Sequence, residues 1–176
     1  VIPIGGYTQI TKKMLKDVEV RLNVDFFENR EFFEKCANKI VFTGMIDQFF
    51  KYEYGVLEYR SLKFEHKTLD LNNYQGNAVV NYTSKDVPYT RILEHKHFEF
   101  GQQPNTIITK EFPIEWNRDT EPYYPINNEK NNYRYNLYKK KAIETDDVIF
   151  GGRLGTYKYY DMHQVYASSL ALVNKE

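Results

Sequence analysis

Four extended runs in the middle of the chain constrain the fold more strongly than any other feature of the sequence. Polar turn clusters separate them, for example Asn72-Asn73-Tyr74-Gln75-Gly76 and Gly101-Gln102-Gln103-Pro104-Asn105. The runs span residues 57–69, 76–83, 89–100 and 106–116. Neighbouring strands with short connections favour antiparallel pairing, and runs of this length need bends or bulges. The sequence therefore predicts a bent or bulged antiparallel sheet.

The segment before these runs alternates between helix and strand. Thr8 is the predicted N-cap of a first helix, and a short strand is predicted over residues 18–22. A second helix is predicted over residues 29–37, with Asn29 as its cap. Residues 39–43 then indicate a buried strand. The pattern is α/β-like, although no GxGxxG phosphate loop is present in the sequence.

The last third of the chain returns to helices. Residues 128–145 are polar and rich in tyrosine, which is typical of a surface helix. Residues 148–150 predict a short strand that ends at Gly151-Gly152, and a final helix is predicted over residues 161–173 with Asp161 as its cap. The apolar face of that helix is predicted to be formed by Met162, Tyr166, Leu170 and Val173. The elements together predict an α+β fold.

Charge and cysteine content exclude several classes of function. Lysine and arginine number 24, as do aspartate and glutamate, so no global field attracts nucleic acid or an anionic membrane. No stretch is apolar enough to span a bilayer, and no signal peptide is visible. Cys36 is the only cysteine. We predict that Cys36 is a small buried hydrophobe, and a lone cysteine favours a reducing, cytoplasmic compartment.

Three features of the sequence are candidates for ligand binding. Gly151-Gly152-Arg153-Leu154-Gly155 combines glycines that allow close approach with an arginine suited to phosphate. Arg60 and Arg91 lie inside predicted strands, where an inward-facing arginine needs an anion or an acidic partner. Tyrosines cluster at 123–124 and 157–160. The alternatives are a solvated glycine turn, an exposed strand face and tyrosines that pack a core.

Two other features are interpreted without a binding role. His95 and His97 would share one strand face, but no third ligand follows at a convincing spacing, so no metal site is predicted. Glu94, Lys96 and the Lys139-Lys140-Lys141 run are most simply explained as solvated charge.

Several ordered segments of the sequence resemble those of UDP-galactopyranose mutases, over essentially the whole chain. Among them are Ile2-Pro3-Ile4-Gly5-Gly6-Tyr7-Thr8, Phe42-Thr43-Gly44-Met45-Ile46-Asp47, Leu57-Glu58-Tyr59-Arg60-Ser61-Leu62, Gln75-Gly76-Asn77-Ala78-Val79-Val80-Asn81-Tyr82, Pro88-Tyr89-Thr90-Arg91-Ile92-Leu93-Glu94-His95-Lys96-His97-Phe98, Glu121-Pro122-Tyr123-Tyr124-Pro125 and Gly151-Gly152-Arg153-Leu154-Gly155-Thr156-Tyr157-Lys158-Tyr159-Tyr160-Asp161-Met162. Met45 departs from the family, which usually has proline there.

The resemblance implies a division of the chain between parts of a larger enzyme. It implies a twisted antiparallel sheet on the substrate side, plus α/β pieces of a Rossmann-like flavin domain. Residues 1–55 would belong to the flavin domain, 56–126 to the sheet domain, and 127–176 would return to the flavin domain. The glycine-rich flavin-binding loop and the helical insert of the family are missing. We therefore expect a carboxy-terminal portion that neither keeps its flavin nor works alone.

The resemblance also implies roles for individual residues. Arg91 resembles a diphosphate-binding arginine, and Tyr124 and Tyr159 resemble the phosphate-binding tyrosines. Arg60 resembles an arginine that lines the sugar and flavin pocket, and Asn81 a residue of the substrate pocket. The flavin contacts implied by the resemblance are Arg153, Tyr160, Asp161 and Met162.

The implied reaction interconverts UDP-galactopyranose and UDP-galactofuranose. In this family, N5 of reduced FAD attacks the anomeric carbon, UDP leaves, and the sugar recloses through another hydroxyl before UDP returns. The cofactor carries the bond chemistry, which agrees with the lack of a convincing side-chain nucleophile. The implied partners are UDP-galactose, the remainder of the enzyme and further copies in a homo-oligomer. A non-catalytic module that binds carbohydrate or nucleotide sugars, or a structural domain, remains the alternative.

Overall fold

A computed structural model describes residues 2–174 and shows a mixed α/β chain. Its strands are β1 (Ile40–Phe42), β2 (Tyr59–Leu69), β3 (Val79–Asn81), β4 (Arg91–Glu94), β5 (Thr106–Glu115), β6 (Tyr124–Pro125) and β7 (Val148–Phe150). Its α-helices are α1 (Tyr7–Met14), α2 (Arg30–Cys36), α3 (Ile46–Phe49), α4 (Glu129–Ile143), α5 (Gly152–Gly155) and α6 (Met162–Val173). These elements agree with the predicted α+β class.

The chain divides into two compact units. Unit 1 combines the residues up to Val24 with Leu62–Ile114, and unit 2 combines Asp25–Ser61 with the residues from Glu115 onward. The boundary therefore falls within β2, at Ser61. The three-part division predicted from the sequence stays a prediction.

Unit 1 contains most of the antiparallel sheet. Strand β4 pairs antiparallel with β3 on one side and with β5 on the other, and β5 lies next to β2. The predicted runs 57–69 and 106–116 are confirmed as β2 and β5. The run 89–100 is a strand only in its first part, because the chain turns into a 3₁₀ helix at His95–Phe98. The prediction of a strand there was wrong from His95 onward.

The 3₁₀ helix at His95–Phe98 contains a buried lysine. The Lys96 side chain is almost fully buried, and its Nζ donates to the carbonyl oxygens of Asn72, at 2.5 Å, and of Gln103, at 2.6 Å. Glu94 is fully buried as well. The prediction that both residues are solvated charges was therefore wrong, because their partners come from other segments of the chain and not from the neighbouring residues. The 3₁₀ turn brings the ammonium group to these carbonyl oxygens.

Unit 2 joins a parallel strand pair to an aromatic core. Strand β1 pairs with β7 in parallel, with Ile40 opposite Val148, and the first residues of β2 pair antiparallel with β6. Helix α4 begins after Asn128, whose side chain accepts a hydrogen bond from the Asn131 amide. The helix is not a simple surface helix as predicted, since one side of it is buried. The buried core cluster consists of Ile46, Leu57, Tyr59, Tyr138 and Tyr157.

Several local predictions in the amino-terminal part need correction. Helix α1 begins at Tyr7 after Gly6, whose φ of 77° suits glycine, so Thr8 is not its cap. No strand forms over residues 18–22, because an alternating pattern is not sufficient without a partner strand. Helix α2 is confirmed, but the side chain of Asn29 makes no capping hydrogen bond. Cys36 is exposed, so the prediction that it is buried was wrong.

The carboxy-terminal helix agrees with the prediction in position. Asp161 precedes α6 and forms a capping box with Gln164, in which each side chain accepts from the other residue's backbone amide. Most of the predicted apolar face of α6 is exposed, including Leu170 and Val173. Within the described part of the chain, no helix is both long enough and apolar enough to cross a membrane.

Candidate functional site

A row of polar side chains crosses three strands of unit 1. The register places Asn81 of β3 opposite Arg91 of β4, and Arg91 opposite Glu111 of β5. Residues directly opposite each other in antiparallel strands project from the same face of the sheet. We call Asn81, Arg91 and Glu111 the arginine row.

The arginine row holds its guanidinium group from both sides. Arg91 Nε donates a hydrogen bond to Asn81 Oδ1 at 2.8 Å, and Arg91 Nη1 lies 3.7 Å from Glu111 Oε2. The Arg91 side chain is 39% exposed, whereas that of Glu111 is only 12% exposed. A guanidinium group has five N–H donors, and the Asn81 contact uses one of them. The others remain suited to a bidentate anion such as a phosphate group.

Two tyrosines and an arginine form a second candidate group, in unit 2. The rings of Tyr124 and Tyr159 are stacked, with their centroids 5.6 Å apart. The Arg153 guanidinium carbon lies 4.8 Å from the centroid of the Tyr159 ring, and Arg153 Nη2 donates a hydrogen bond to the carbonyl oxygen of Tyr123. We call Tyr124, Arg153 and Tyr159 the tyrosine–arginine cluster. Its phenol hydroxyls and its cation are the donor types that phosphate oxygens accept.

Arg60 lies next to this cluster in the strand register. Arg60 of β2 is directly opposite Tyr124 of β6, and the carbonyl oxygen of Arg60 accepts from the Tyr123 amide at 3.1 Å. Cross-strand partners of this kind share one face, so the two side chains project on the same side. Arg60 is exposed, which keeps its charge available for a ligand.

Three of the predicted flavin contacts, Tyr160, Asp161 and Met162, lie at the start of α6. The Tyr159 hydroxyl donates to Asp161 Oδ1 at 3.0 Å, and that hydrogen bond, followed by burial, raises the pKa of the Tyr159 phenol. Asp161 and the half-exposed Met162 follow at the positive end of the helix dipole. Tyr160 contacts the Lys158 ammonium group, 5.3 Å from its ring centroid. These residues combine exposure, polarity and a helix N-terminus, which fits an electron-rich flavin ring.

The structure therefore groups the predicted residues into two sets. Arg91 and Asn81 contact each other in unit 1, and Arg60, Tyr124, Arg153, Tyr159 and Asp161 are neighbours in unit 2. Sequence reasoning missed Glu111. The residue types contained no signal for it, because its importance depends on the register between β4 and β5.

The histidines of unit 1 show hydrogen bonds and no metal cluster. Thr109 Oγ1 lies 2.7 Å from His66 Nδ1 and 2.6 Å from His95 Nε2. Burial, followed by the neighbouring His66, lowers the pKa of His95. Among residues 2–174 no group of three or more acidic, histidine or cysteine residues is placed to hold a metal ion.

Comparison with known proteins identifies similar chains. The family model described as UDP-galactopyranose mutase matches residues 1–159. A dTDP-fucopyranose mutase of Escherichia coli is 36% identical over 167 residues, covering 92% of this chain and 44% of that protein. A probable UDP-galactopyranose mutase of Klebsiella pneumoniae is 36% identical over 173 residues, covering 96% of this chain and 44% of that protein. A UDP-galactopyranose mutase of Mycoplasma genitalium is 35% identical, covering 96% and 45%. The chain thus spans somewhat less than half the length of these relatives.

Proposed function

The chain belongs to the UDP-galactopyranose mutase family, and we propose that it is the carboxy-terminal portion of an isomerase that interconverts UDP-galactopyranose and UDP-galactofuranose. The coverage of the relatives is consistent with a carboxy-terminal portion. The observation that carries the proposal is the arginine row, because it presents a half-exposed guanidinium group that is already oriented by Asn81.

Arg91 is proposed to bind the diphosphate of the substrate. Its charge and forked donors match two phosphate oxygens, and its contact with Asn81 limits the orientations that the side chain must lose on binding. In this reaction the nucleotide diphosphate departs and then returns to the same sugar. A fixed cation helps both steps, since it stabilises the departing charge and keeps the diphosphate close. Asn81 is proposed to face the same substrate pocket.

Tyr124 and Tyr159 are proposed to donate hydrogen bonds to phosphate oxygens, and the Tyr159 hydroxyl would exchange its present acceptor, Asp161 Oδ1, for the phosphate. Their stacked rings hold the two hydroxyls in a fixed relation, and Arg153 supports the stack through its position over Tyr159. Neutral phenols bind a phosphate without adding charge that would retain the departing group too tightly. Arg60, opposite Tyr124, is proposed to contact the sugar of the substrate.

FAD is the cofactor that the family implies, and the start of α6 is where we propose that this chain contacts it. Reduced FAD, when bound, supplies the nucleophile for the sugar. Arg153, Tyr160, Asp161 and Met162 would border the ring system, with the α6 dipole favouring electron density there. The parallel pair of β1 and β7 is proposed to belong to the flavin domain. The chain alone is expected neither to retain FAD nor to catalyse the reaction.

The test uses the longer enzyme that contains this chain, loaded with FAD and reduced with dithionite. We expect turnover of UDP-galactopyranose only in the reduced form. Replacing Arg91 by alanine is expected to lower kcat/KM by about 10²- to 10³-fold, as loss of a charge-stabilising donor does. Arg21→Ala is the matched control, because Arg21 is exposed and pairs with Glu19. Wild-type activity in Arg91→Ala would refute the diphosphate role.

The same assay separates two further possibilities. A protein that is free of flavin and inactive, but binds UDP, would support a non-catalytic nucleotide-sugar module.

A relative named dTDP-fucopyranose mutase is as similar as those named for UDP-galactopyranose, so both nucleotide sugars are compared as substrates. We expect the higher kcat/KM with UDP-galactopyranose.

A further inference from the structure

We propose that Glu111 is a positioning residue, which sets the orientation of the Arg91 guanidinium group toward the substrate diphosphate. The inference rests on the proposed role of Arg91 as the diphosphate-binding arginine. Glu111 was not among the residues that the sequence or the family resemblance pointed to. What assigns it the role is its place in the arginine row, directly opposite Arg91 in the register of β4 and β5.

The backbone fixes Glu111 firmly against the strand that contains Arg91. The carbonyl oxygen of Glu111 accepts from the Thr90 amide at 2.9 Å, immediately before Arg91. The β-sheet ladder continues on the other side of this point, where Arg91 is opposite Asn81. Glu111 therefore cannot shift along the sheet relative to Arg91 without breaking backbone hydrogen bonds.

The side chains divide the contacts of the guanidinium group between them. Asn81 accepts from Nε at 2.8 Å, while the Glu111 carboxylate lies 3.7 Å from Nη1. The longer distance exceeds that of a hydrogen bond, so Glu111 acts through charge attraction and leaves the terminal N–H groups available. Because the Glu111 side chain is only 12% exposed, solvent screens this attraction less than it would at an open surface.

Removal of Glu111 would change the affinity for UDP in opposite directions, depending on whether Glu111 orients Arg91 or only reduces the positive charge of the site. If the carboxylate affected the site only through its charge, its loss would leave Arg91 more strongly positive and would tighten binding of a diphosphate. If the carboxylate orients Arg91, its loss frees the guanidinium group to adopt other rotamers, and diphosphate binding weakens. The sign of the change in UDP affinity therefore distinguishes the two.

The experiment measures the dissociation constant of UDP for the longer, FAD-loaded enzyme by calorimetry, in wild type and in five variants. Glu111→Ala is expected to weaken UDP binding about fivefold or more, and Glu111→Gln, which keeps the size of the side chain, by less. Glu99→Ala, an exposed glutamate of the same unit, is the control and is expected to match wild type. Arg91→Ala and the double variant Arg91→Ala/Glu111→Ala complete a cycle.

The cycle isolates positioning from folding. With Arg91 absent, Glu111→Ala is expected to have no further effect on UDP affinity, whereas a general loss of structure would weaken binding in both backgrounds. Unchanged or tighter UDP binding in Glu111→Ala, while Arg91→Ala binds UDP weakly, would refute the proposed role of Glu111 but not that of Arg91. Unchanged binding in Arg91→Ala would instead refute the proposed role of Arg91 and the inference with it. If Glu111→Ala does not fold, Glu111→Gln provides the same comparison.

Discussion

The two units of this chain bury different kinds of side chain. Among the described residues, unit 2 buries mainly large apolar groups, namely Phe42, Ile46, Phe49, Leu57, Tyr59, Tyr138 and Tyr157. Unit 1 buries mainly polar and charged groups, namely Glu94, Lys96, Thr106, Thr109 and Glu111, beside Ile92 and Ile108. Burial of apolar area stabilises unit 2, whereas unit 1 depends on buried polar and charged groups that need hydrogen-bond partners. Unit 1 is therefore expected to be the more sensitive to charge removal and to pH.

Glu94 shows how unit 1 satisfies a buried charge. Its carboxylate accepts from the amides of Tyr74 and Gln75 at 2.9 and 2.8 Å, and from the Thr106 hydroxyl at 2.8 Å. His97 lies 3.1 Å away on the same carboxylate. Burial raises the pKa of Glu94, but these hydrogen bonds outweigh it and hold the pKa at about 2. One side chain thereby connects β4, β5 and the loop before β3.

The buried acid of unit 2 has the opposite balance. Asp47 accepts from the Leu57 amide at 2.8 Å and from the Gln48 amide at 3.0 Å. Burial nevertheless dominates and raises the pKa of Asp47 above its usual value. The pKa values of these two buried carboxyl groups are therefore shifted in opposite directions. Glu94 has enough hydrogen-bond donors to offset its desolvation, and Asp47 does not.

The largest effect is expected from removing the Glu94 carboxylate. Glu94→Ala leaves two backbone amides, a hydroxyl and the His97 ring without their acceptor at a buried site. We expect a loss of about 3–5 kcal/mol in the free energy of unfolding, as for a broken buried charge network. Urea denaturation of the 176-residue chain measures it. Glu99→Ala, at an exposed glutamate, serves as control, and an equal effect of both variants would contradict the distinction between the units.

The second prediction concerns the loss of folding stability at low pH. The pKa of Glu94 is about 2 in the folded chain and 4.5 for an ordinary glutamate, so the folded pKa is depressed. Its contribution to stability is present above pH 4.5 and is lost as the pH falls toward 2. The full contribution is about 3 kcal/mol, of which about 2 kcal/mol is lost by pH 3. Asp47, with a raised pKa, contributes in the opposite direction, toward greater stability at low pH.

Pulsed hydrogen exchange between pH 6 and pH 3 compares the two units directly. Amides of β4 and β5 are expected to lose protection before those of α4 as the pH falls. In Glu94→Gln, which cannot ionise, the pH dependence of unit 1 is expected to flatten. Loss of protection in α4 first would show that the acid sensitivity lies in unit 2 and would refute the assignment to Glu94.

The sequence predicted those parts of the fold that local residues determine. Strands β2 and β5 and the cap Asp161 were recognisable because turn residues and capping side chains act over a few positions. The burial of Lys96 was not recognisable. Its carbonyl partners, at Asn72 and Gln103, are 24 and 7 residues away, so nothing near Lys96 indicates them.

The candidate site shows the same limit. Arg91, Tyr124 and Tyr159 were identified through a family resemblance, since an arginine or a tyrosine in a strand is by itself compatible with packing or solvent exposure. The contact between Arg91 and Asn81, and the place of Glu111 beside them, follow from strand register. Register is a tertiary property, because a shift of any one of these three strands by one residue would turn its side chain to the other face, away from the other two.

The smallest expected effects come from two tyrosines in the core of unit 2. The Tyr157 hydroxyl donates to the carbonyl oxygen of Glu58 and accepts from the Ile126 amide at 3.1 Å. The buried Tyr59 hydroxyl has no hydrogen-bond partner in the described part of the chain. Tyr157→Phe is therefore expected to cost about 0.5–1.5 kcal/mol, because it removes the hydroxyl's hydrogen bond to the Glu58 carbonyl oxygen, whereas the Ile126 amide keeps that carbonyl oxygen as a backbone acceptor. Tyr59→Phe removes only an unpaired group, so it is expected to be neutral or to stabilise the chain by about 1 kcal/mol. Both variants delete one oxygen from a ring packed edge to face against the other, so apolar contacts cancel in the comparison.

Urea denaturation at pH 7 measures the free energy of unfolding of both variants. If Tyr59→Phe lowers the free energy of unfolding as much as Tyr157→Phe does, the Tyr59 hydroxyl has a buried water as its partner. Unit 2 would then depend on hydrogen bonds of buried polar groups, as unit 1 does.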